Sequence, residues 1–250
     1  MPIRYDGTRI FHKNTIDYAA YDSYQKEQKQ RSRQDVDAVQ KRIRERSYEQ
    51  WKQWCPRDFR DATINSIGKH DPDVKDALIR AVKSSMQKGN PTSVMLGSKS
   101  RRTPSGITMA RGKTWAMYAY VSSLCKAGVI NDPVKEVLIL TEATLLDKNT
   151  DWRDGGQYMK EVFSEERKLV IVDNINGGAG AMKRQKYGDD AWGRFVEAGQ
   201  GRGIGFVFSF SGDFDDMGLK DIKSRILPLI QGQPYENAVI TVGVDGNSGR

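Results

Sequence analysis

Two short runs, EVLILT (136–141) and KLVIVD (168–173), constrain the fold of this chain more than any other feature. Each is apolar at consecutive positions, and a strand can carry that pattern only when both of its faces are covered. Helix-forming sequence lies between them, so they belong in a parallel sheet with helices on either side. SVMLG (93–97), GIGFVFSFS (203–211) and AVITVGV (238–244) complete a series of five strand candidates. The run from Thr114 to Lys126, with Trp115, Ala116, Tyr118, Ala119 and Val121, reads as the helix that follows the first strand. Strands alternating with helices in this way predict a doubly wound α/β domain. No internal repeat interrupts the series.

Immediately before that helix stands GITMARGKT (106–114). Its tail, Gly112-Lys113-Thr114, matches the end of the phosphate-loop pattern G-x-x-x-x-G-K-[ST]. Its head does not, because Ile107 occupies the place of the first glycine and Gly106 comes one residue early. A phosphate loop works because backbone N–H groups at a helix start surround the anion. The lysine reaches the outer phosphates and the hydroxyl ligates magnesium. SKSRRTPSGITMAR (98–111) separates the strand from Lys113 and reads as an insertion, leaving ARGKT, Ala110 to Thr114, as the working part. The expected nucleotide contacts are Ala110, Arg111, Gly112, Lys113, Thr114 and Trp115.

KLVIVD ends in Asp173, the carboxylate expected to hold magnesium together with Thr114. Asn174 follows, where a nucleotide hydrolase of this design carries glutamate to polarise water. An amide accepts no proton at neutral pH, so hydrolysis should be slow or depend on a group supplied from elsewhere. Ser211, at the end of GFVFSFS, stands where a residue could sense the terminal phosphate; Ser209 and Ser211 also fit the alternate polar positions of a strand end. Arg225, in LKDIKSRIL, stands where an arginine could reach a neighbouring subunit's nucleotide and stabilise phosphoryl charge.

The remaining composition narrows the classes of function. Two cysteines, Cys55 and Cys125, and two histidines, His12 and His70, leave no zinc spacing, no disulfide framework and little imidazole chemistry. No apolar run approaches the ~20 residues that span a bilayer, and MPIRYDGTRI lacks the apolar core of a signal peptide. A cytoplasmic protein with no membrane partner is therefore expected. The net charge of +8 fits either a nucleic-acid partner or a basic solvated surface. Between Asp17 and Trp54 there is neither glycine nor proline, and Pro56 supplies a stop. Tyr18, Tyr21 and Tyr24 at helical spacing and the cluster Lys41, Arg42, Arg44 and Arg46 make this a long polar helix or helix pair. It is either a binding arm or a solvated face. The chain divides into a helical basic arm (1–54), a linker and helix (55–92, the helix from about Pro72 to Met86) and the α/β domain (93–250).

Taken in order, these segments resemble the DnaC-type helicase loaders and the insertion-sequence ATP-binding helper proteins, both AAA+ ATPases. The likeness runs over roughly residues 54 to 244. It is carried by PRDFRDAT (Pro56 to Thr63), Gly112-Lys113-Thr114, VLILTEATLLD, LVIVDNI, FSFSGDF and KSRIL. The resemblance implies a three-layer P-loop AAA+ fold with a parallel five-stranded sheet and a reduced or absent lid. It further implies a protein using ATP and Mg2+ that binds single-stranded DNA, forms a homo-oligomer on it and escorts a replicative helicase in DNA replication. The N-terminal helix would contact the helicase. The insertion-sequence relatives would instead partner a transposase, and a decayed scaffold would leave a non-hydrolysing adaptor. The chain departs from the family pattern in the inserted loop, at Ile107 and at Asn174.

Overall fold

The computed structural model describes residues 2–5, 9–12, 18–67, 71–97, 112–149, 155–175, 191–210, 226, 229 and 239–241. Contacts divide the chain into two units, Met1–Ile43 and Arg44–Arg250. In the first, β1 (Pro2–Tyr5) and β2 (Arg9–His12) pair antiparallel. They lie within the segment expected to be helical. Helix α1 (Tyr18–Trp54) follows as one continuous helix, and the division between the units falls inside it. Over 21–43 nearly every α1 side chain is exposed, including Val36 and Val39.

The second unit is a three-layer α/β structure around a parallel sheet of order β4-β5-β6-β3-β7. Its strands are β3 (Val94–Gly97), β4 (Val137–Thr141), β5 (Leu169–Ile175), β6 (Gly205–Phe210) and the three-residue β7 (Val239–Thr241). Each expected strand segment contains one of them. Alternate residues of the central strands enter two separate cores. Val94, Leu96, Leu169, Ile171 and Val207 face α2 (Ile64–Ile67), α3 (Pro72–Lys88) and α4 (Lys113–Ala127). Met95, Val170, Val172, Phe206, Phe208 and Phe210 face α6 (Glu142–Asn149), α7 (Gly155–Val162) and α8 (191–199). This two-sided burial is the physical reason for the unbroken apolar runs.

Local chemistry sets the helix ends. Asp71 caps α3 by accepting the Val74 N–H at 3.1 Å, Pro72 occupies the first turn, and Gly89 closes it in the left-handed conformation at φ 71°. The short α5 (Pro133–Glu136) uses the same Asp-Pro start at Asp132. Helix α4 differs from both, because ten of its fifteen residues are buried and no stripe of it is left to water. An α-helix that is apolar on all sides belongs in the middle of a structure.

What covers the far side of α4 is the end of α1 and its lead-in. Ser47 Oγ donates to the Ile130 carbonyl at 2.7 Å, and the Lys126 ammonium lies 4.1 Å from the Tyr48 ring centroid. Trp51 lies 5.6 Å from the Tyr118 ring, and Phe59 stacks on Tyr118 at 4.7 Å and 5°. The Trp115 indole N–H donates to Ser66 Oγ at 3.0 Å. Residues 47 to 66 thus follow α4 from its C-terminus back to its first turn.

The sheet leaves little slack where β6 begins. A Cβ added at Gly205 would collide with the backbone carbonyl oxygen of Pro91, which cannot swing aside. We expect Gly205→Ala to cost about 1–3 kcal/mol or more, as overpacking does. Urea denaturation of the variant checks this, and an unchanged midpoint would contradict the packing described.

Candidate functional site

The sheet order fixes where a site can form. From β3 the chain crosses through α4 to β4 at one edge, whereas after β6 it reaches β7 on the other side of β3. Connections from the adjacent strands β3 and β6 therefore leave in opposite directions, opening a crevice outside their carboxyl ends. Open α/β sheets bind ligands at such switch points. The start of α4 and the end of β5 both lie at this edge.

Gly112 stands before α4 with φ 105° and ψ −20°, a conformation open to glycine and costly for any residue with a Cβ. It offers no side-chain cap, and the first turn of α4 contains no acidic residue. The first turn therefore supplies no carboxylate of its own to its N–H groups and positive dipole end. Lys113, the first residue of α4, is buried with 5% of its surface exposed. Burial lowers its pKa from 10.5 to about 8, with the Asp173 carboxylate acting in the opposite direction. Its ammonium is the form an anionic ligand would favour.

Thr114 Oγ1 lies 3.5 Å from Asp173 Oδ2, across a separation of 59 residues. That distance is the long limit of a hydrogen bond. Oxygens at adjacent positions of an octahedral magnesium, each ~2.1 Å from the ion, stand about 3 Å apart. One hydroxyl and one carboxylate form an incomplete set, and magnesium bound with nucleotides takes its remaining ligands from phosphates and water. Among the described residues no group of three His, Cys, Asp or Glu side chains could hold a metal unaided. The pair thus fits a magnesium that arrives with a phosphate ligand.

Regular alternation along β5 turns Asp173 towards Thr114, and an irregularity follows directly after it. Val172 pairs with Phe208 but Ile175 pairs with Phe210, so β5 spends one more residue than β6 over this step. Within it Asn174 has φ 58°, the only non-glycine residue of positive φ among the described residues. Its backbone N–H donates to Asp173 Oδ1 at 2.8 Å. The other carboxylate oxygen is the one near Thr114.

The expected site residues therefore fall into three groups. Gly112, Lys113, Thr114, Asp173 and Asn174 gather at the carboxyl edge. Trp115 is adjacent, but its ring is engaged by the lead-in, with Phe59 edge-on at 6.1 Å and its N–H on Ser66. Ala110, Arg111, Ser211 and Arg225 lie outside the described residues, as do Gly106 and Ile107. Strand β6, which ends at Phe210 just before Ser211, does lie between β3 and β5.

Sequence reasoning missed Glu142. It follows Thr141, which pairs with Asp173 across β4 and β5, and it is wholly buried, accepting the Trp192 indole N–H at 3.2 Å. A glutamate opening a helix reads as a solvent-facing residue, and the indole 50 residues away marks it otherwise. The two cysteines offer no competing chemistry. Burial pushes the Cys55 thiol up to about 11 and Cys125 up to about 12, far from thiolate formation at neutral pH.

In a comparison with known proteins, no family model matches the chain and no curated protein matches it.

Proposed function

We propose that the chain binds ATP with Mg2+ at the start of α4 and acts as a helicase-loader-like protein of the AAA+ type on single-stranded DNA. The carrying observation is the convergence of Lys113 and Thr114 with Asp173 outside the carboxyl ends of a parallel sheet. The N–H groups of the first α4 turn and the Lys113 ammonium would hold the phosphates. Thr114 and Asp173 would hold the magnesium, which supplies charge neutralisation and geometry for the phosphates. The sheet order, with β6 between β3 and β5, supports the AAA+ reading of the fold. The net charge of +8 and the basic cluster on α1 support a DNA partner. A replicative helicase contacting α1, assembly of several copies on DNA with Arg225 acting between subunits, and a cytoplasmic location belong to the same reading. No helix among the described residues is long and apolar enough to cross a membrane.

One observation favours a binding role over rapid turnover. Asn174 is an amide in a left-handed backbone conformation, and it gives an attacking water no base. Under this reading nucleotide acts chiefly as a switch, with hydrolysis slow unless a partner completes the site.

Lys113 provides two tests with opposite signs. In the nucleotide-free fold its pKa lies below the unfolded value, so charging it costs stability, fully so below about pH 8. That cost fades as pH rises from about 8 towards 10.5. Lys113→Met should therefore abolish binding of a fluorescent ATP analogue while raising the melting temperature of the nucleotide-free protein at pH 7 by several degrees. Calorimetry measures both, and retained affinity would overturn the assignment. For the unsubstituted protein, affinity should fall above about pH 8, approaching tenfold per pH unit, because a neutral amine must take up a proton to bind the anion.

The DNA component has its own test. Replacing Lys41, Arg42 and Arg46 with glutamine should weaken binding to single-stranded DNA. It should also flatten the log–log salt dependence, by about 0.7 for each lost phosphate contact. Fluorescence anisotropy across a salt series reads this; an unchanged slope would show that the cluster is only a solvated face.

A further inference from the structure

Asn174 first reads as a defect, an amide in the place of a catalytic glutamate. Its backbone points to a different role. Left-handed conformations are costly for residues with a Cβ, and asparagine, after glycine, tolerates them best. Asn174 adopts one at φ 58°, at the step where β5 spends an extra residue relative to β6. Such bulges bend a strand and re-aim its side chains.

The consequences on either side can be followed residue by residue. Leu169 and Ile171 enter the core on the α4 side, and Val170 and Val172 enter the opposite one. Simple alternation places Asp173 on the α4 side, where it meets Thr114. The same alternation would place Ile175 on the α4 side as well. Instead Ile175 is fully buried in the opposite core, with Val172 and Phe210. The extra residue at 174 makes both placements compatible. The N–H of Asn174 donates to Asp173 Oδ1 at 2.8 Å, leaving Oδ2 towards Thr114.

We propose that Asn174 is a positioning residue, whose left-handed backbone and N–H fix the rotamer of the Asp173 carboxylate as a magnesium ligand beside Thr114. This rests on the nucleotide reading above and adds to it the reason for an amide at this position. The feature required is the backbone conformation, so glycine should replace Asn174 and a β-preferring residue should not. Glutamate there would be a poor substitute, because it would carry a larger side chain into the same strained conformation.

The experiment compares the wild type with Asn174→Gly, Asn174→Ala and Asn174→Val. The readout is the ratio of dissociation constants for a fluorescent ATP analogue in EDTA and in excess Mg2+. A purely structural defect would weaken binding in both conditions, whereas a misplaced Asp173 weakens only the magnesium-dependent part. Asn174→Gly should keep the wild-type ratio. Asn174→Ala and Asn174→Val should shrink it by about tenfold or more, the usual effect of disturbing a ligand's supporting contacts, with affinity in EDTA changed less than about twofold. Should Asn174→Val fold poorly, Asn174→Ala against Asn174→Gly carries the comparison alone. Equal ratios in Asn174→Ala and Asn174→Gly, whether both retained or both lost, overturn the backbone role. A wild type that binds the analogue in neither condition overturns the nucleotide reading, and this proposal with it.

Discussion

The arrangement depends on one constraint, the burial of α4 on every side. A helix with a single apolar stripe can slide or roll on a sheet, because its outer face is indifferent to small displacements. Helix α4 has no such freedom. Ala116, Ala119 and Tyr120 are inaccessible to water, and Tyr118 is held between Trp51 and a stacked Phe59. Close packing of this kind converts a displacement of even a methyl group into lost contacts or overlap. The start of α4 is therefore fixed relative to the carboxyl ends of β3 and β5. A hydroxyl and a carboxylate 59 residues apart can meet only because of that fixity.

The same constraint explains the role of the chain before the sheet. The last turns of α1 and the residues after it look unpromising as core, with arginines, aspartates and a proline in close succession. They form a strap along α4 in which Ser47, Trp51, Cys55 and Ala62 point inwards and the charged residues outwards. Tyr120 extends the anchoring to the opposite end of the sheet. Its hydroxyl donates to the Thr92 carbonyl at 2.7 Å and lies 3.1 Å from Ser85 Oγ, so the start of β3 is tied to both α3 and α4.

Legibility in the sequence followed burial. Strands covered on both faces announce themselves as apolar runs, so β3, β4, β5 and β6 were anticipated, as was α4. Lys113 and Thr114 were legible because they open α4, and Asp173 because it ends the apolar run of β5. What escaped notice lacks a periodic signal. The pairing of β1 with β2 depends on two runs of four residues, PIRY and RIFH, that carry polar and apolar residues alike. The strap on α4 depends on partners 49 to 83 residues away. Asn174 was read for its side chain, whereas its backbone is the informative part, and φ is not written in a single letter. Glu142 was hidden because a buried carboxylate and a solvated one look alike until the partner, here Trp192, is known.

The chemistry of the site follows from a charge imbalance that this packing creates. Drawing Lys113 out of water costs more than Asp173 returns, which is why its pKa sits below the ordinary lysine value. The N–H groups of the first α4 turn point the same way, with a glycine in the capping position that answers none of them. The lysine and the helix start are both positive, and both lie at one edge of the sheet. The polyphosphate proposed above, carrying its own magnesium, would supply negative charge for the lysine and acceptors for the helix start. It would also bring a cation to which Thr114 and Asp173 could both turn their oxygens. Free energy gained in this way would add directly to the stability of the fold, because only the folded chain gathers these groups. The first turn of α4, Lys113, Thr114 and Asp173 are thus the groups that such a ligand would engage, and the packing of α4 is what holds them at one edge of the sheet.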